Sequence, residues 1–167
     1  MEKDSLNVLI LAAGLGTRLR PLTNDVPKPL VPVVDASILD LQARKARAVG
    51  DVRLHANAHY LAEQVVNAGE TLGFEKVWVE QPEILGTAGP LRRIYAEGYR
   101  GGLLVMNGDA YCGFDLKAFV ENAQRMAAAE NGPQVALLAV DFPKVNTFRV
   151  GADGRLAGVA GRFGSEE

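Results

Sequence analysis

The chain has 167 residues, of which 48% are hydrophobic and 23% charged, with 18 Lys and Arg against 20 Asp and Glu. That composition suits one globular domain and lacks the basic excess of a duplex-binding protein, so no nucleic-acid partner is expected. The lone cysteine, Cys112, rules out an intrachain disulfide and a cysteine-rich zinc site, and neither a membrane-length apolar run nor a signal-like start is present, so no membrane partner and a cytoplasmic location are expected.

In chain order, strand and helix signals alternate. Val8-Leu9-Ile10-Leu11 is a continuous apolar run of the kind buried on both faces of a parallel sheet. A Gly- and Pro-rich stretch from Gly14 to Pro32 follows, too long for a tight turn and of a length usually kept for function. Ser37 is placed to cap a helix through about Val49, with Ile38, Leu41, Gln42, Lys45 and Val49 at helical spacing and Gly50 as the stop. Strand is expected over Val52–Ala56, helix over Tyr60–Ala68, and strand over Glu75–Val79, with Trp78 packed on a helix. Pro90 suits the first position of a helix running to about Glu97.

Leu103-Leu104-Val105-Met106 reads as a second doubly buried strand, ending in Asn107-Gly108-Asp109. Asp115 is the expected N-cap of a helix with the stripe Leu116, Phe119, Val120, Ala123, Met126 and Ala127, stopped by Asn131-Gly132-Pro133. Strands are expected over Val135–Val140, Thr147–Val150 and Arg155–Val159, the last two joined by Asp153-Gly154. His55 reads as structural, His59 as a residue bonding a loop, and Cys112 as a partly buried thiol. The whole reads as an α/β layered sheet with helices on both faces, residues 1–167 forming one domain. Ligands of such sheets bind beyond the carboxyl ends of the strands, which singles out Gly14–Lys28, Gln81–Gly89 and Asn107–Asp109.

The first of these loops has the parts for an anion. Glycines let backbone amides approach closely, and Arg18 can fork onto phosphate oxygens. It is neither a dinucleotide fingerprint, because Leu19 stands where the third glycine belongs, nor a Walker A loop, because Gly-Lys-Ser/Thr is absent. The longer string Gly14-Leu15-Gly16-Thr17-Arg18-Leu19-Arg20-Pro21-Leu22-Thr23, with Pro27-Lys28-Pro29-Leu30, resembles the signature of sugar-1-phosphate nucleotidyltransferases. The segment Asn57–Gln64, the loop Glu80-Gln81-Pro82 with Leu85-Gly86-Thr87-Ala88-Gly89, and Asn107-Gly108-Asp109 resemble further family motifs in the family's order.

The resemblance implies a Rossmann-like three-layer α/β/α fold with a mostly parallel, mixed sheet. It implies transfer of a nucleoside monophosphate from a nucleoside triphosphate to a sugar 1-phosphate, with release of pyrophosphate. By the same resemblance Arg18 and Lys28 act on the phosphates, and Asp109 binds Mg²⁺. Ala12, Ala13, Gly14, Gly16, Thr17 and Thr87 lie against the nucleotide, and Gln81 and Gly86 select the base. Asn107 and Gly108 face the ribose and sugar. The Asn-Ala-His-Tyr segment looks like N-acetylmuramate-1-phosphate uridylyltransferases, whereas Leu-Gly-Thr-Ala-Gly looks like mannose- or heptose-1-phosphate guanylyltransferases, so base and sugar stay open. Arg20 either adds to the local field or is solvated.

Relatives continue beyond Gly161 with strands that complete the sugar site and carry a second acidic metal ligand, so this sequence is expected to lack that C-terminal part. Asp141 and Asp153 are acidic residues of this half, but the first follows a strand in an unmatched position and the second fits a hairpin turn. The alternative is a nucleotide or nucleotide-sugar binding module without turnover; self-association into a homo-oligomer also stays open.

Overall fold

The computed structural model describes residues 5–129, 132, 135–139 and 148–159. They fall into two compact units, one within Met1–Gly132 and one within Pro133–Glu167.

The first unit opens with β1 (Leu6–Leu11). A small antiparallel hairpin of β2 (Pro32–Val33) and β3 (Ala36–Ser37) follows, then α1 (Ile38–Arg47) and β4 (Val52–Ala58). Next come α2 (Ala62–Thr71), β5 (Lys76–Val79), α3 (Ala88–Ala96), β6 (Leu103–Asn107) and α4 (Leu116–Ala127). The four longer strands form one sheet in the order β5-β4-β1-β6, with every pairing parallel.

Side chains alternate across this sheet because successive residues of a strand point to opposite faces. Val8 and Ile10 of β1 join Leu39, Ala43 and Ala46 of α1, Val65 of α2 and Leu116 of α4 in one core cluster. Leu9, between them, packs on the other face with Trp78 of β5 and Ile94 of α3. Helices therefore cover both faces, giving the three layers expected. Full burial of side chains such as Leu9, Ile10 and Leu39 contributes about 1.5–3 kcal/mol each relative to exposure.

On the α3 face His55 is fully buried, stacked on Trp78 at 5.2 Å and met edge-on by Tyr99 at 4.7 Å. Burial pushes its imidazole down to about 4, so the ring is neutral and its Nε2 donates to Asn7 Oδ1 at 3.1 Å. The structural reading of His55 holds. Trp78 does pack on a helix, and its Nε1 also donates to Glu97 Oε1 at 2.7 Å.

Several boundaries differ from the sequence reading for local reasons. Ser37 caps α1 as expected, accepting from the Asp40 N–H, and Asp115 caps α4 by accepting from the Ala118 N–H. The second helix begins at Ala62 rather than Tyr60, because Leu61 adopts φ 47 at its N-cap. Pro90 stands third in α3 rather than first. It is tolerated there because the first-turn amides have no intrahelical partner to lose.

The fourth strand is not doubly buried. Among the described residues β6 is an edge strand, and only Met106 on it is buried. On α4, Met126 is 52% exposed although it belongs to the apolar spacing. The helix itself ends at Ala127, while Asn131 and Pro133 of its expected stop lie outside the described residues. Cys112 is exposed, not partly buried, because it sits in the loop after β6.

The second unit holds an antiparallel pair, β7 (Phe148–Val150) and β8 (Leu156–Val159). Their connection is longer than an Asp-Gly dipeptide turn: the Gly151 N–H donates to the Arg155 carbonyl at 2.8 Å, and Gly154 takes φ +75 between them. The strand expected over Val135–Val140 does not form over its described part. Val135, Leu137 and Leu138 are exposed and pair with no strand there, so an apolar run alone did not suffice. Val140, Asp141, Thr147 and Gly161 lie outside the described residues.

Candidate functional site

Because β1, β4, β5 and β6 are parallel, their carboxyl ends share one edge of the sheet, and the loops that follow them meet there. Those loops enclose a cavity of about 470 Å³, within the range that holds a small-molecule ligand. Ala12, Ala13, Gly14, Gly16, Thr17, Arg18, Lys28, Gly86, Thr87, Asn107, Gly108 and Asp109 all line it. One expected site residue does not: Gln81 is exposed and outside the lining, as is Arg20.

The long first loop is held in shape from within. It contains two 3₁₀ turns, Thr17–Leu19 carrying Arg18 and Lys28–Leu30 carrying Lys28. Thr23, fully buried, donates its hydroxyl to the Gly16 carbonyl at 2.8 Å. Gly16 has φ +65, and a Cβ there would lie 3.1 Å from both Lys28 Cβ and Thr23 Cγ2, so the turn needs glycine on two counts. Farther along, Tyr60 Oη donates to the Asn24 carbonyl at 2.8 Å and Gln64 Nε2 to the Asp25 carbonyl at 2.9 Å. The Asn57–Gln64 segment thus ties down the phosphate-type loop.

The Asn107-Gly108-Asp109 turn is fixed from two sides. The Gly108 N–H donates to the Leu11 carbonyl at 2.9 Å, and a Cβ on Gly108 would come within 2.3 Å of that oxygen. Gln42 of α1, 3% exposed, donates both amide hydrogens, to the Asn107 carbonyl at 2.7 Å and the Ala110 carbonyl at 2.6 Å. This clamp brackets Asp109.

Among the described residues Asp109 is the single carboxylate of the lining, and Arg18 and Lys28 are its cations. Lys28 Nζ lies 2.6 Å from Asp109 Oδ2, with the two side chains 30% and 50% exposed. A pair this open to water is worth about 0–1 kcal/mol, so either partner can be drawn to a ligand at small cost. Among the described residues no three His, Cys, Asp or Glu side chains gather into a metal-binding cluster. That donor set fits Mg²⁺ held by one carboxylate with phosphate and water as the remaining ligands, rather than an all-protein cage.

Three polar residues were not read as functional from the sequence. Gln42 was counted only as helical spacing. Asn57, 3% exposed, accepts from the Ala12 N–H at 2.7 Å, and Glu80 is 1% exposed. Gln42 is a polar residue on the buried face of α1, whereas Asn57 and Glu80 open two of the family-like segments, and those are the signals available. His59 Nδ1 donates to the Glu80 carbonyl at 2.8 Å, so His59 does bond a loop. Among the described residues no helix is long and apolar enough to cross a membrane.

Comparison with known proteins gives this arrangement a lineage. The mannose-1-phosphate guanylyltransferase catalytic subunit beta of Drosophila melanogaster is 38% identical over 125 residues, covering 71% of this chain and 34% of its own length. The UTP–glucose-1-phosphate uridylyltransferase of Synechocystis is 28% identical over 130 residues, covering 70% and 34%. Among solved structures, HddC from Yersinia pseudotuberculosis complexed with GMP-PN is 31% identical with a TM-score of 0.57, covering 70% of this chain and 53% of that one. The chain spans about a third of the length of these curated relatives. The family model described as Nucleotidyl transferase matches residues 7–148, from the first strand to the start of β7, and the chain belongs to that family.

Proposed function

We propose that the cavity binds a nucleoside triphosphate and a sugar 1-phosphate and joins them, releasing pyrophosphate and forming a nucleotide sugar. The observation that carries this reading is the convergence of Arg18, Lys28 and Asp109 on one cavity floored by the glycine loop. In the reaction an oxygen of the sugar phosphate attacks the α-phosphorus in line, and the bond from that phosphorus to the bridging oxygen breaks as pyrophosphate leaves. The nucleophile needs no general base, because a phosphate monoester has its second pKa near ~6 and is anionic at neutral pH. The neutral, buried His55 and the loop-bonded His59 accord with that.

The chain's work is alignment and charge. Arg18 forks onto phosphate oxygens, and Lys28, stiffened between Pro27 and Pro29, presents an ammonium to them. Asp109 would hold Mg²⁺, which when bound neutralises charge on the phosphates. Ala12, Ala13, Ile84, Gly86 and Thr87 leave an uncharged wall for the flat base. The substrates are dissolved small molecules, and we place the reaction in the cytoplasm.

The test is pyrophosphate release from each nucleoside triphosphate paired with a panel of sugar 1-phosphates and Mg²⁺. Release with one pairing is expected, and Asp109→Asn should abolish it while the far-ultraviolet circular dichroism stays unchanged. Triphosphate binding with no release from any pairing would replace transfer by a binding module.

A further inference from the structure

A chain of buried and part-buried hydrogen bonds runs across the strand ends at the cavity, and Asn57 itself belongs to the lining. The Ala12 N–H, just past β1, donates to Asn57 Oδ1 at 2.7 Å. Asn57 Nδ2, on β4, donates to Glu80 Oε1 at 2.9 Å, and Glu80 Oε2, just past β5, accepts from the Leu85 N–H at 2.8 Å. Asn57 and Glu80 are 3% and 1% exposed. The chain begins in the loop that carries Ala12 and Ala13 and ends between Ile84 and Gly86, and all four of these residues line the cavity. None of its three hydrogen bonds involves Arg18, Lys28 or Asp109.

We propose that Asn57 and Glu80 are positioning residues, a brace that sets the spacing between the Ala12-Ala13 wall and the Ile84–Thr87 wall and so tunes affinity for the nucleoside rather than for the phosphates. This rests on the nucleotide reading above. A carboxylate is buried here because two N–H groups on opposite sides both need an acceptor, and one residue of this length serves both. Its rigidity comes from directionality: donors and acceptors alternate, so the side-chain amide of Asn57 has one workable orientation.

That directionality supplies the test. Glu80→Gln leaves one oxygen for two donors and turns an amide hydrogen toward the other. Asn57→Asp sets a second carboxylate against the first. The double substitution restores all three bonds with the middle one reversed. The new aspartate accepts from the Ala12 N–H and from the new glutamine, whose oxygen accepts from the Leu85 N–H. Formal charge is then that of the wild type.

Binding of the four common ribonucleoside triphosphates and of inorganic tripolyphosphate, which has no base, is measured by calorimetry at pH 8. Amide hydrogen exchange is followed at Ala12 and Leu85 without ligand. Each single variant should weaken the preferred triphosphate about tenfold, equivalent to about 1.4 kcal/mol. Tripolyphosphate affinity should hold within about twofold, and amide protection at both positions should fall. The double variant should recover affinity and protection. The Asn57→Asp defect should also shrink below pH 6, where a shared proton restores the middle bond.

Single variants that bind the triphosphate like the wild type, an equal loss for tripolyphosphate, or a double variant no better than the singles each overturn the brace. A wild-type chain that binds tripolyphosphate but shows no preference for any nucleoside triphosphate overturns the nucleoside role. A wild-type chain that binds neither refutes the nucleotide reading itself and the brace's role with it, and unchanged exchange in the single variants refutes the structural tie separately.

Discussion

Replacing Gln42 tests whether the clamp on the Asn107–Ala110 carbonyls holds Asp109 in place. Gln42→Leu keeps the side-chain bulk beside Leu39 and Ala43 but removes two hydrogen bonds, at 2.7 and 2.6 Å. Each is worth about 0.5–1.5 kcal/mol net. Asn107 and Ala110 are exposed residues, which lessens the desolvation penalty on the vacated carbonyls. The expected loss is therefore about 1–3 kcal/mol, a sizeable share of a stability of about 5–15 kcal/mol. Gln42→Glu keeps shape and length but turns a carboxylate toward two carbonyl oxygens at a site only 3% exposed. At pH 8 that should cost about 3 kcal/mol or more, as for an uncompensated buried charge.

The folded-state pKa of that introduced carboxyl is raised, by burial and by the facing oxygens. Its deficit should therefore shrink as pH falls from 8 toward 5, where the protonated form donates to one carbonyl. Urea denaturation with linear extrapolation at pH 8 and pH 5 measures both effects. In the folded leucine variant, pyrophosphate release should fall most at low Mg²⁺ and recover partly as Mg²⁺ rises. A leucine variant within 0.5 kcal/mol of wild type, with the glutamate variant no worse at pH 8, refutes the clamp.

The buried His55 gives a pH signature. Its folded-state pKa of about 4, set mainly by burial with smaller opposing effects of Glu75 and Glu97 and a reinforcing one of Arg53, lies below the ordinary 6.5. Between those values the unfolded chain binds more protons, so stability is fully present above pH 6.5 and is lost as pH falls toward 4. The total loss is about 3 kcal/mol. His55→Gln should flatten that part of the stability–pH curve, and an unchanged slope would remove His55 as its source. Gly108→Ala puts a Cβ against the Leu11 carbonyl, so about 1–3 kcal/mol of stability and most of the Mg²⁺-dependent turnover should go; a folded, fully active variant would show that the turn shifts without consequence.

Much of the sheet was legible because its evidence is local. The run Val8–Leu11 and the caps Ser37 and Asp115 state their roles within a few residues, and each holds. Burial of β6 was misjudged because an apolar run reports composition, while exposure depends on which strands lie alongside. The same division runs through the site. The loops at the strand ends, with Arg18, Lys28 and Asp109, follow from topology plus motif, and the cavity gathers them. The residues that hold those loops were invisible as such. Gln42 reaches a turn 65 and 68 residues away, and Asn57 bonds Ala12 across 45 residues, contacts that depend on parallel register rather than on neighbouring sequence. Gln81 marks the converse limit: its motif is present, yet its side chain lies outside the cavity lining.

The central position of β1 has a consequence for how the chain acquires its structure. Asn7 pairs with Arg53 on one side and Leu103 on the other, so β1, which precedes both partners in the chain, must wait for them. Closing such long loops before any contact rewards them makes folding slow, as in other topologies dominated by distant pairings. The phosphate-type loop hangs from the carboxyl end of that strand and is braced through Asn57 and Leu11. One of those supports, from the Gly108 N–H to the Leu11 carbonyl, is absent until Gly108 has been synthesised. A nascent chain halted before that point carries Arg18 and Lys28 without Asp109, the carboxylate that Lys28 faces.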